Sequence, residues 1–124
     1  MTAELKRYCR GGDLELDGKT LRVALAEGRT HRLSVIDEPD AYVLTGVVVR
    51  ASIVSQILDL PVQAWQRNRS TRLVGFKIDS RDRLIGEAWV PKAGLTGVEF
   101  RAYVRAVAAE CDRFEYELTG KDAS

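Results

Sequence analysis

Through the first half of the chain apolar and polar residues alternate, and near residue 52 the period lengthens. Residues 3–10 are predicted as a short helix ended by Gly11-Gly12, marginal unless it docks on a core. Leu14-Glu15-Leu16 leads into Asp17-Gly18, a strong hairpin signal. Over residues 20–26, Leu21, Val23 and Leu25 fall on one face while Thr20, Arg22 and Ala24 fall on the other. That is the pattern of a half-buried strand. Glu27-Gly28 turns the chain into residues 29–36, where His31, Leu33 and Val35 share a side. After a loop at Asp37-Glu38-Pro39-Asp40, residues 42–49 are β-branched and apolar on both faces, as in a strand central to its sheet. Together these segments read as an antiparallel meander.

The longer period begins with Ser52 as a helix N-cap and Ile53, Val54, Ile57 and Leu58 at helical spacing. Pro61 either ends that helix or starts a second one at its first turn. Val62, Trp65 and Leu73 continue an apolar side. Residues 73–78 and 84–90 are predicted as two strands around a turn at Asp79-Ser80-Arg81-Asp82. A long helix follows, opened by a Thr96/Glu99 capping box and closed by Gly120. Its apolar stripe is Phe100, Tyr103, Val104, Val107, Ala108, Cys111, Phe114 and Leu118, and Glu110, Asp112 and Glu117 are placed off it. Strands grouped together and covered by helices give an α+β class rather than α/β.

At 124 residues, 45% apolar and 30% charged, the composition is that of one globular domain over residues 1–124. A formal net charge of +1 imposes no global field toward nucleic acid or anionic membrane. No apolar run approaches the roughly 20 residues of a membrane span, and Met1 to Arg7 lacks the apolar core of a secretory signal. Cys9 and Cys111 stand far apart without metal-ligand spacing, as expected of two free thiols in a reducing cytoplasm.

No candidate catalytic group has the partners its chemistry requires. His31, the chain's one histidine, sits level with Leu33 and Val35 and reads as structural. Asp79 and Asp82 lack the spacing and glycine of a calcium loop. The alternating carboxylates Asp13, Glu15 and Asp17 read as a solvated strand face, and a metal-dependent hydrolase would need these or His31. Gly11-Gly12 has no lysine-serine pair behind it and is no phosphate loop. The expectation is therefore no enzyme, no metal and no cofactor. Arg67, Arg69, Arg72 and Lys77, with Trp65 beside them, form a basic cluster in sequence that would suit stacked bases and phosphates. An arginine-rich solvated connector and an interface rim are the other readings. Trp89 shares a strand face with Ile85 and Glu87 and is either a surface residue or covered by a helix.

Taken as a set, Trp65-Gln66-Arg67-Asn68-Arg69, Gly75-Phe76-Lys77-Ile78-Asp79, Gly86-Glu87-Ala88-Trp89-Val90-Pro91, Gly94-Leu95-Thr96 and Ala109-Glu110-Cys111-Asp112-Arg113-Phe114 resemble the YbjN-like family, labelled sensory transduction regulators. The resemblance covers residues 52–120 by motif and the first half by strand order. It implies a type III secretion chaperone-like fold in the order α-β-β-β-α-β-β-α, a homodimer, a protein client, and no cofactor or catalytic residue. Residues 1–10 are short for the first helix of such chaperones, and 14–16 are placed as an added strand. Apolar residues beyond the core's needs point to a dimer interface at Ile57, Val62, Trp65 and Leu73 and a partner surface at Phe76 and Trp89. The expected activity is that of a dimeric, protein-binding adaptor or chaperone-like regulator. The alternative is a nucleic-acid accessory protein using Arg67, Arg69, Arg72 and Lys77.

Overall fold

Every strand foreseen by alternation is present in the computed structural model, joined into one antiparallel sheet. The structure describes residues 3–120; expectations that touch Met1, Thr2 or residues 121–124 lie outside the described residues. The strands are β1 (Leu14–Asp17), β2 (Thr20–Ala24), β3 (Thr30–Asp37), β4 (Ala41–Val49), β5 (Gly75–Ile78) and β6 (Leu84–Pro91). Their order is β1-β2-β3-β4-β6-β5. β1 is thus a full member of the sheet, making the first half a four-stranded meander. β4 lies between β3 and β6, which explains why it is apolar on both sides.

The helices are α1 (Ala3–Tyr8), a single turn α2 (Ala51–Val54), α3 (Leu60–Asn68) and α4 (Gly97–Thr119). Of the two roles open to Pro61, the structure shows the second: it stands at the start of a separate helix, α3. α2 ends at Val54, Asp59 takes a left-handed conformation, φ 55°, at the N-cap of α3, and Pro61 occupies the first turn of α3. Ser52 is not the N-cap of α2; Arg50 holds that position, with no side-chain cap. The start of α4 also differs from a reciprocal capping box. The Thr96 hydroxyl accepts from the Glu99 N–H at 3.2 Å and donates to the Glu99 carboxylate at 2.9 Å.

One sheet face carries the core. Leu21, Val23, Leu33, Val35, Tyr42, Leu44, Ala88 and Val90 are buried there, and α4 crosses β2, β3, β4 and β6 on that side. Phe100 of α4 meets Tyr42 of β4 edge to face at 5.3 Å and Tyr8 of α1 at 5.6 Å. Tyr8 donates to the Leu95 carbonyl at 3.0 Å, and Tyr42 donates to Glu4 at 2.6 Å. These contacts dock a helix too short to stand alone.

Farther along, Gly46 and Gly86 pair across β4 and β6 and let α4 approach at Cys111. A Cβ on Gly86 would lie 2.6 Å from the Cys111 sulfur, and one on Gly46 would lie 3.0 Å from it. Burial pushes the Cys111 thiol up to about 12 and the Cys9 thiol up to about 11. In the native chain at pH 8, alkylation of either thiol should run at least about 100-fold slower than in denaturant, because so little thiolate is present. Mass spectrometry of the labelled chain reads this directly, and rapid labelling before unfolding contradicts it.

Candidate functional site

Among the described residues, two groups of exposed apolar side chains include those named from sequence. The first runs along the start of α3. Leu58 is 83% exposed, Val62 51% and Trp65 59%. Val62 and Trp65 are three residues apart and share a helix side, and the Arg69 guanidinium lies 5.2 Å from the centre of the Trp65 ring. Leu58, assigned from sequence to a helical stripe, lies instead in the turn between α2 and α3. Of the other residues expected at this interface, Ile57 and Leu73 are half-buried and pack against the core.

The second surface is the sheet face opposite α4. Ile36, Val43 and Trp89 align across β3, β4 and β6. Val43 is buried between its neighbours, while Ile36 and Trp89 stay exposed. The Trp89 indole N–H donates to Glu87 at 3.1 Å, and Lys77 faces the same carboxylate at 3.5 Å. Trp89 is therefore a surface residue. Phe76, foreseen beside it, is not: strand alternation turns Phe76 to the core face, where it is 3% exposed and meets Phe114 edge to face at 4.8 Å. Alternation shows which residues share a face but not which face a helix will cover.

The basic cluster is not one surface. Arg67 pairs with Glu117 and Glu110 of α4 and lies 5.1 Å from the centre of the Phe114 ring. Arg69 is occupied by Trp65, Arg72 is exposed, and Lys77 belongs to the open sheet face. Asn68 donates to the Phe76 carbonyl at 2.9 Å and accepts from the Phe76 N–H at 2.7 Å, as a neighbouring strand would. The outer edge of β5 is thereby closed at that point. Among the carboxylates named from sequence, Asp13 forms an ion pair with Arg105, whose hydrogen bond holds the Asp13 carboxyl below its usual range. Asp79 accepts from the Arg81 and Arg83 N–H groups and from the Arg83 side chain, stabilising the hairpin turn.

A cavity of about 790 Å³ opens where β3 and β4 part. Their pairing ends at Leu33 and Gly46, and beyond it the His31 ring spans the gap to the Val47 carbonyl at 3.0 Å. Ile53, Ile57 and Leu118 contribute apolar walls. Burial lowers the pKa of His31, against the opposing pull of the Val47 carbonyl and Asp112. Beside it, Asp112 and Glu115 are buried, although the apolar stripe of α4 placed Asp112 outside it. Their i,i+3 spacing was the available signal, and it pointed to them only once a strand histidine was known to face α4.

No protein-family model and no curated protein matches the chain. Solved structures do. A chain of the ExsC–ExsE complex superimposes with a TM-score of 0.63 at 18% identity, over 95% of this chain and 97% of that one. A chain of the heterodimeric ExoU–SpcU complex from the type III secretion system of Pseudomonas aeruginosa gives 0.55 at 16% identity, over 85% and 87%. The Yersinia pestis type III secretion chaperone SycH, in complex with a stable fragment of YscM2, gives 0.55 at 10% identity, over 90% and 97%. The α+β fold is that of the type III secretion chaperones. Among the described residues, no helix is long and apolar enough to cross a membrane.

Proposed function

We propose that this chain is a non-enzymatic, chaperone-like regulator of the YbjN-like kind, which forms a homodimer and binds a protein client in the cytoplasm. The observation that carries the reading is the exposed ridge of Leu58, Val62 and Trp65, set on a fold shared with chains of three solved protein complexes. A second copy occupies the ridge, where Trp65 and the arginine stacked on it, Arg69, supply residue types enriched at interface hot spots. The client engages the open sheet face at Trp89 and Ile36, or adds a strand at β1, which has a strand neighbour on one side only. Two buried free thiols, Cys9 and Cys111, support a reducing compartment. No observation favours nucleic acid, since Arg67 is held by carboxylates.

Size-exclusion chromatography with light scattering tests the dimer. The wild-type chain is expected at twice its monomer mass, and Trp65→Asp or Val62→Asp is expected to weaken self-association at least about 30-fold, the effect of losing a 2 kcal/mol hot spot. Trp89→Asp is expected to remain dimeric. A monomeric wild type ends the proposal.

A further inference from the structure

We infer that His31, Asp112 and Glu115 form a binding site for a divalent transition ion such as Zn²⁺, joining β3 to α4. Each residue presents one ligand atom, and the three atoms lie within 4.8 Å of one another in a cluster whose members are all buried. The Val47 carbonyl can only accept a hydrogen bond, so the His31 Nε2 at 3.0 Å carries the proton. The Nδ1 atom is then a bare lone pair, and it has no hydrogen-bond partner although His31 is only 1% exposed. Asp112 Oδ2 accepts from Arg29 Nε at 3.0 Å, while its buried Oδ1 also lacks a partner. Two buried acceptors without a partner, close to a second carboxylate, that of Glu115, cost free energy. A cation resolves both deficits at once.

The donor set identifies the class of ion. One imidazole nitrogen and two carboxylate oxygens suit a borderline ion such as Zn²⁺ or Co²⁺ better than Mg²⁺ or Ca²⁺, which favour all-oxygen shells. Metal–ligand bonds of about 2.0–2.2 Å put tetrahedral ligands roughly 3.4 Å apart, so side-chain rotations of about an ångström close the cluster. The supporting contacts exist already: Val47 fixes the imidazole tautomer, and Arg29 orients Asp112. His31 and Glu115 line the 790 Å³ cavity, while Asp112 lines a second cleft of about 360 Å³ beyond it. The ion therefore has routes of entry, and a coordination position stays open to water or to a side chain of a bound protein.

The test uses the untagged chain, stripped with EDTA and titrated with Co²⁺ and then with Zn²⁺. One Co²⁺ per chain should bind with the visible absorption of a low-symmetry nitrogen-oxygen site, be displaced by Zn²⁺, and leave the chain with a raised Tm. Asp112→Asn and His31→Gln, checked for native helix content by circular dichroism, should each weaken binding by more than about 100-fold, beyond the usual cost of losing a supporting contact. Absence of binding by the wild type overturns the inference without need of any variant. So does a thiolate charge-transfer band, which would assign the ion to Cys9 or Cys111, and so does undiminished binding by the folded variants.

Discussion

Gly86→Val should destabilise the chain by about 3 kcal/mol or more, enough to leave a chain of this size largely unfolded if its margin is typical. Even the first added carbon would stand 2.6 Å from the Cys111 sulfur and 3.0 Å from both the Phe76 ring and a Val74 methyl. None of these groups has room to retreat. Cys111 and Phe76 are buried in the layer between α4 and the sheet, and Val74 closes it at the strand end. The milder Gly86→Ala isolates the cause. Combined with Cys111→Ala, which removes the nearest atom, it should recover about 1 kcal/mol relative to additivity in a double-mutant cycle read by urea unfolding. Additive losses would mean that the helix does not rest on this glycine.

Phe100→Ala should cost about 3–5 kcal/mol and lower Tm by roughly 12–20 °C. The ring is fully buried and is the common partner of Tyr8 and Tyr42. Its loss opens a cavity at the point where α1, β4 and α4 meet, so α1 should detach before the sheet melts. Hydrogen exchange in residues 3–8 should then approach that of an unfolded segment while β4 stays protected. A loss below about 1.5 kcal/mol would show that Tyr8 and Tyr42 close over the gap.

How far each feature could be read from the chain depends on whether its cause is local. The α4 stripe and the strand alternation are local, and the sequence placed His31, Leu33 and Val35 together on the side where they are found buried. The strand order is not local, because nothing in residues 84–90 states that they will pair with β4 across the α2–α3 segment. Phe76 shows the consequence. It was placed on a strand as expected, but its exposure depended on which face α4 covers. Arg67 is similar: its charge suggested a basic patch, whereas Glu110 and Glu117, more than 40 residues away, hold it. Asp112 and Glu115 were the least visible, since carboxylates on a helix are ordinarily solvated and nothing local announces that both will be buried or that Arg29 will meet Asp112.

Because α4 is the last described element and covers four strands laid down before it, the order of synthesis runs against the order of protection. While the ribosome is still translating residues before 97, the nascent meander holds its apolar side uncovered, with Leu21, Leu33 and Leu44 in a ready-made sheet. Such a half-made sheet invites pairing with other chains until its cover arrives. Ribosome stalling or premature termination within α4 should therefore yield aggregates rather than a looser soluble form.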